Sequence, residues 1–598
     1  MMKKFILIVC GSFVGSFLAF LIFTLCALAI SFSLLFSMSS SMKPSIKDKS
    51  VLYLKLDGNV AEYEGANQMG IMDLIQGREK TPSLNTMIKA LHVAETEDKI
   101  KGVLIDCNGA SASTATLRQL RQAIAEFKKN SRKWVYAYAN EGYEQGDYYV
   151  ASVADSVLLN PIGAVDVHGL VTVTPYFKKV LDKVGVEMQI MRVGTYKSAV
   201  EPYMLDSISP ANREQQTLFL GNLWKTMAGE IAASRHIDAT AFNAMVDNVM
   251  LAQPAEYLLA KHLIDATAFK HQLEDRLKVK LGIDDDDDLR VASPEALAGN
   301  YDNGSNEDGI VAVVYAVGEI DGSSSPASES GIDSEELVNT ILDLKKDDDV
   351  KGLVLRVNSP GGSAFGSEQI WEALEEFKKS GKTFAVSMGD YAASGGYYIS
   401  SGAHRIFADE TTITGSIGIF GVIPCAEELV QNKLGINTSI VKTNANSDMG
   451  AAGIMSKKLT PVQMAAMQNY VNRGYDLFTK RCATGRKVSQ DSIKKIAEGR
   501  VWDGITAKKI GLVDEFGGLD KAIEWVAKKA NLNDGYYQVQ EYPNDELDVL
   551  KFMKLYSTQL YAKEMQDQMG LFYQYFEQTR AILNRDHVLC LMEPMEIK

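Results

Sequence analysis

Lys101-Gly102-Val103-Leu104-Ile105 is answered, 250 positions further on, by Lys351-Gly352-Leu353-Val354-Leu355. Glu126-Phe127-Lys128-Lys129 is answered at the same offset by Glu376-Phe377-Lys378-Lys379. One extra residue near Arg132 then shortens the offset to 249, at which Tyr148-Tyr149-Val150 answers Tyr397-Tyr398-Ile399 and Leu263-Ile264-Asp265 answers Leu512-Val513-Asp514. Residues 51–270 are thus echoed by 310–520, and a long internal repeat outranks local signals in deciding a fold. Each copy opens on an apolar strand, Val51–Leu56 or Ile310–Tyr315. A helix (Ser83–Ala94; Ser334–Lys345), a strand (Gly102–Cys107; Gly352–Val357), a second helix (Thr116–Lys129; Ser367–Lys379) and a third strand (Val135–Ala139; Phe384–Met388) follow. Short apolar strands alternating with amphipathic helices predict an α/β fold with largely parallel strands.

The frame divides the 598 residues into an apolar N-terminal segment (1–45), a first repeat (46–280), a linker (281–308), a second repeat (309–540) and a tail (541–598). From Phe5 to Met38 no residue is charged, and Lys3 and Lys4 precede the run. A cleaved signal has an apolar core of about 7–15 residues and a membrane span needs about 20, so a retained transmembrane helix is expected. The basic N-terminus favours a cytoplasmic start and a body outside the cytoplasm, against a counter-bias from Lys43, Lys47 and Lys49. The linker carries Asp284 through Asp288, without the alternating ligands, turn glycine or closing glutamate of a calcium loop, and reads as a solvated connection. The tail shows helical spacing of Tyr, Phe, Met and Leu from Leu547 to Leu583. A net charge of −14 argues against a nucleic-acid surface. Six cysteines and seven histidines form no CxxC, HxxxH or HExxH spacing, so neither a disulfide framework nor a zinc site is expected.

The copies differ where chemistry would sit. The second has Asn358-Ser359-Pro360-Gly361-Gly362-Ser363 after its strand, where the first has Gly109-Ala110-Ser111-Ala112. Paired glycines let backbone N–H groups face a substrate closely, as an oxyanion hole requires. Some 30 residues on, Asp390-Tyr391-Ala392-Ala393-Ser394-Gly395-Gly396-Tyr397-Tyr398 sets a serine before an apolar helical run, and Gln145 replaces that serine in the first copy. A serine there can be a nucleophile with helix-terminal amides beside it, or simply a helix cap. His404, whose counterpart is Asp155, reads as structural. That leaves lysine as base, provided burial lowers its pKa. Lys197, in Val193-Gly194-Thr195-Tyr196-Lys197-Ser198-Ala199-Val200, faces Asn446 across the repeat; Lys442, 48 residues after Ser394, is the rival.

These motifs, with Thr414-Gly415-Ser416-Ile417-Gly418, make the chain resemble the long, tandem-repeat bacterial type of the signal peptide peptidase A family, Ser/Lys peptidases of family S49 related in fold to Clp protease and the crotonases. The resemblance covers residues 50 to 530 and implies two crotonase-like ββα-superhelix domains. It implies Ser394 as nucleophile, Lys197 as general base from the other repeat, Ser416 orienting the lysine, and Gly361, Gly362 and Gly395 lining the oxyanion hole. It further implies a homotetramer on the bacterial inner membrane, body on the periplasmic side, cutting cleaved signal peptides and other apolar peptides without metal or organic cofactor. The loop after Gly361-Gly362 and the segment Ile417–Val422 are the expected groove walls. A crotonase-type acyl-CoA enzyme and a non-catalytic membrane scaffold remain the alternatives. A lysine base also predicts activity rising with pH on one limb in the neutral-to-alkaline range.

Overall fold

The computed structural model describes residues 46–64, 81–321, 331–449, 457–543 and 588–593. The expected transmembrane helix and the helical stretch Leu547–Leu583 lie outside these residues. Among the described residues no helix is long and apolar enough to cross a membrane.

The first repeat is built on β1 (Ser50–Asn59), α1 (Leu84–Thr96), β2 (Ile100–Ser111), α2 (Thr114–Ser131), β3 (Trp134–Ala139), α3 (Gln145–Ala151) and β4 (Ser156–Leu159). A segment then leaves the sheet as β5 (Glu187–Arg192) and the long α4 (Pro210–Ser234), and the chain returns to the sheet at Ala266–Thr267, beside β4. The second repeat opens with β6 (Gly309–Val317), α5 (Ser334–Lys346), β7 (Val350–Ser359) and β8 (Gly361–Ser363). It continues through α6 (Ala364–Lys379), β9 (Thr383–Ala393), α7 (Gly395–Ser400), β10 (Ile413–Gly415) and β11 (Phe420–Cys425), and near the chain end comes β12 (Val588–Leu591). The repeat holds at the level of register. Val51 pairs with Gly102 and Val103 with Val135 in one parallel sheet; Val311 pairs with Gly352 and Leu353 with Phe384 in the other. Val103, Ile105, Leu353 and Leu355 are fully buried, as strands covered on both faces require.

Local chemistry explains the elements. In α5, Leu337, Ile341 and Leu344 recur at helical spacing and are buried. Asp333 caps its N-terminus by accepting from the Glu335 and Glu336 amides, and Lys345 and Lys346 sit in its last turn. The offset changes because α2 runs on to Ser131 and closes on Arg132 at φ 59°, whereas α6 stops at Lys379 and Gly381 takes the left-handed conformation at φ 89°.

Three features depart from expectation. The linker is partly structured: Val291–Ala292 pairs with β1 and the short helix Pro294–Ala298 buries Leu297, although Asp284 through Asp288 are exposed. β9 continues past Met388 to Ala393, with a register shift opposite Val357–Ser359. At the end of the second repeat Tyr537–Tyr542 is an edge strand beside β6, and past the stretch Leu547–Leu583 the tail adds the strand β12.

The two repeats grip each other. β5 of the first lies antiparallel to β11 of the second, Arg192 opposite Phe420. Arg356 of β7 holds Glu62 of the first repeat through Nε and Nη2 at 2.8–3.0 Å, both side chains 5% exposed or less. Arg118 of α2 reaches Asp409 (2.8 Å) and Glu410 (3.0 Å).

Candidate active site

Ser394 stands where β9 ends and α7 begins. β9 pairs with β10 up to Ala393–Gly415, and the Ser394 N–H donates to the Gly415 carbonyl at 2.8 Å. Its backbone takes φ 55°, ψ −113°, a conformation costing about 1–3 kcal/mol that surrounding structure must impose. The result is a sharp elbow that turns the hydroxyl away from the helix, and no cap bond forms from it. Ser416, just past β10, is also left-handed at φ 48°, its N–H donating to the Arg500 carbonyl at 2.7 Å.

Lys197 arrives from the first repeat. After β5, the Val193 N–H donates to Ile419 O (3.1 Å), Gly194 turns the chain at φ 105°, and the Tyr196 N–H donates to Glu498 O (3.0 Å). These bonds pin the loop to the second repeat on both sides. Lys197 Nζ lies 2.7 Å from Ser394 Oγ, 3.0 Å from the Ser416 carbonyl oxygen and 3.1 Å from Ser416 Oγ. Lys197 and Ser416 are 1% exposed and Ser394 fully buried. Burial lowers the lysine pKa from 10.5 to about 7, because a desolvated ammonium loses its hydration. With one lone pair and two N–H groups, a neutral amine suits this surround: it donates twice to Ser416 and accepts from the Ser394 hydroxyl.

The glycines surround the same point. Gly361 takes φ 105°, and a Cβ there would lie 2.1 Å from the Cys590 carbonyl oxygen and 2.7 Å from the Gly395 amide nitrogen. Gly395 heads the first turn of α7, whose amides have no intrahelical partner. The Gly361 N–H donates to Ser359 Oγ at 3.1 Å, and Gly362 stands opposite Cys590 in the strand ladder. The first copy has no such opening. There Asp147, the counterpart of Gly396, accepts from the Gly109 and Ala110 amides at 2.9 and 3.0 Å, so a carboxylate fills the turn.

Lys442 is exposed and paired with Asp448 at 2.8 Å, away from Ser394. His404 accepts from the Phe384 amide through Nδ1 at 3.1 Å, as Asp155 accepts from the Val135 amide in the first copy. Both are strand-end fasteners. Sequence reasoning missed Gly499. It takes φ 76°, and a Cβ there would fall 2.6 Å from Lys197 Cβ, so only glycine lets the lysine backbone lie so close. The available signal was a glycine in Glu498-Gly499-Arg500 where the first copy has Val249-Met250-Leu251. Also missed was the buried polar cluster behind Ser198. Asn212 Nδ2 donates to both Glu201 (3.2 Å) and Glu593 (3.1 Å), and Gln215 Nε2 to the Tyr196 carbonyl and Ser198 Oγ (3.2 Å each).

Fold and site together define an α/β serine peptidase assembled from two repeats. The chain belongs to Peptidase family S49, whose model matches it twice, over residues 127–284 and 376–533. It is 36% identical over 479 residues to "Protease 4" of Salmonella typhi, covering 78% of this chain and 75% of that one. It is 34% identical over 508 residues to "Protease 4" of Haemophilus influenzae (81% and 80%) and 27% identical over 500 residues to "Serine protease SPPA, chloroplastic" of Arabidopsis thaliana (81% and 70%). The acyl-CoA and scaffold alternatives fall with this membership.

Proposed function

We propose that the chain is a membrane-anchored endopeptidase that cuts apolar peptides, such as signal peptides already released into the membrane, through Ser394 and Lys197. The observation that carries the proposal is the 2.7 Å approach of Lys197 Nζ to Ser394 Oγ in a site sealed from water. The neutral amine takes the hydroxyl proton as Oγ attacks the peptide carbonyl. The oxyanion forms against the amides of the Gly361, Gly362 and Gly395 region, where preorganised donors are worth most because the site is dry. The ammonium then hands its proton to the departing amine. Water enters, gives a proton to the Lys197 amine and attacks the acyl carbon; the C–Oγ bond breaks and the ammonium returns the proton to Ser394 Oγ. Ser416, with carbonyl and hydroxyl both on Nζ, holds the lone pair toward Ser394.

The repeated parallel strand–helix units support two crotonase- and Clp-like superhelical domains. The charge-free run Phe5–Met38 supports an anchor in the bacterial inner membrane with the body on the periplasmic side, and the names of the relatives support peptide substrates. A homotetramer is the proposed assembly; an active, monodisperse monomer in mild detergent would refute it.

The test of the site is Ser394→Ala and Lys197→Ala, assayed on a fluorogenic Leu- or Ala-rich peptide with Lys442→Ala as control. Each of the first two should lose at least about 10³-fold in kcat, and the control should keep activity. Undiminished turnover in either ends the dyad assignment.

A further inference from the structure

Both flanks of Lys197 are held by one side chain, that of Gln215. It projects from α4, is 2% exposed, and lies between the loop that carries the lysine and the strand Val501–Asp503 of the second repeat. Its Oε1 accepts the Val501 N–H at 3.0 Å. Its Nε2 donates to the Tyr196 carbonyl and to Ser198 Oγ, each at 3.2 Å, and to Asn212 Oδ1 at 3.0 Å. Tyr196 and Ser198 are the residues on either side of Lys197. Val501 stands opposite Gly415, whose carbonyl accepts the Ser394 N–H, and the Arg500 carbonyl just before it accepts the Ser416 N–H. A single carboxamide therefore ties the base, on both sides, to the strand pair that positions Ser394 and Ser416.

The arrangement uses both ends of the amide. A carboxamide carries an acceptor oxygen and a two-donor nitrogen; here the oxygen faces the second repeat and the nitrogen the first. Asn212, one turn earlier in α4, fixes that orientation. Its Nδ2 is committed to Glu201 (3.2 Å) and Glu593 (3.1 Å), so its oxygen is the end left to receive Gln215 Nε2. Glu214, the next position in α4, takes the Arg500 guanidinium at 2.7 Å, and that guanidinium lies 4.5 Å from the ring centroids of both Tyr196 and Trp502. Two adjacent residues of one first-repeat helix thus grip the lysine loop and the Arg500–Val501 backbone together.

We propose that Gln215 is a positioning residue for the peptidase reaction, holding the Tyr196–Ser198 backbone so that Lys197 Nζ stays within reach of Ser394 Oγ and shut off from water. The inference rests on the assignment of Ser394 and Lys197. A Gln215 variant that keeps full activity beside a Lys197→Ala variant that loses it strikes this inference and leaves that assignment standing. Ser394, Ser416 and Cys590 face the amine; Glu201 and Glu593 lie behind Ser198, and Glu214, Glu498 and Arg500 lie about Tyr196. Gln215→Met exchanges one neutral side chain for another of similar length and changes none of these groups, so a moved pH limb reports hydration of the amine.

The experiment compares Gln215→Met and Gln215→Leu with Asn222→Ala in the full chain, each checked by thermal melting and assayed on a fluorogenic Leu-rich peptide across pH. Asn222 donates to Asp503 at 2.9 Å and ties the same helix to the same strand, about 10 Å further along α4. In the Gln215 variants kcat should fall about 10²-fold, the cost of displacing a reacting group by about 1 Å, with KM changed less than about threefold. Their limb, set near pH 7 by the burial of Lys197, should move to higher pH by at least about one unit as water reaches the amine. Asn222→Ala should keep both kcat and limb. A limb that stays near pH 7 in the folded Gln215 variants overturns the proposal, and so does a loss of kcat that Asn222→Ala equals. Failure of both Gln215 variants to fold overturns it as well and makes Gln215 a structural tie.

Discussion

Asp390, four residues before Ser394, accepts two hydrogen bonds from Thr116 of the other repeat, one from the backbone N–H and one from the hydroxyl, each at 2.8 Å. Thr116 lies in the first turn of α2, so a carboxylate of the second repeat serves the exposed amides of a first-repeat helix. Asn358, beside the paired glycines, donates to the same carboxylate at 3.1 Å. The bulged end of β9, the glycine turn and the other repeat are thus tied at one buried group. Asp390→Ala should destabilise the protein by about 2–3 kcal/mol, the scale of lost hydrogen bonds to a charged group. It should also lower kcat more than it raises KM, because the elbow that carries Ser394 loses its anchor. Denaturant melts and steady-state kinetics on one preparation check both.

The pH profile follows from the buried amine. Lys197 must be neutral to take the serine proton, and burial places its pKa at about 7. Activity should rise through pH 6 to 8 with half its plateau near pH 7. Lys197→Arg should remove the limb along with the activity, since a guanidinium does not deprotonate in this range. A limb near pH 4–5 alone would assign the base to a carboxylate.

The same group should cost stability. Unfolded, the lysine titrates near its ordinary 10.5; folded, it titrates at about 7. Between those values the unfolded chain binds more protons, so the native state gains stability as pH rises. Lys197→Met keeps the stem and removes the charge. It should be inactive yet more stable at pH 7 by on the order of a few kcal/mol, and the advantage should shrink as pH approaches 10.5. Urea melts of the two proteins at pH 7 and pH 10 measure it.

Gly499→Ala tests the contact that sequence reasoning overlooked. The new Cβ meets Lys197 Cβ at 2.6 Å and its backbone nitrogen at 2.8 Å, while the residue is held at φ 76°. The lysine loop must give way, and displacement of a reacting group by about 1 Å costs about 10²-fold in rate. kcat should fall by that order while the folded secondary structure survives. Unaltered kinetics would show that the loop tolerates the shift.

Much of the architecture was decided by the sequence alone. The strand and helix periods are local, and each element is stabilised largely within its own repeat, so β1 to β3 and β6, β7 and β9 were legible, whereas β8 was read as a turn. The candidate serine was legible too, because paired glycines and the elbow motif appear in one copy and not the other. Tertiary structure decided which lysine meets it. Lys197 and Lys442 are the same residue type, and only the packing of one repeat on the other buries the first against Ser416 and leaves the second in water beside Asp448. It also decided the fate of the tail. Four residues, Val588–Leu591, carry no periodicity of their own, and they become a strand because β8 and β11, well over 150 positions away, offer them two open edges.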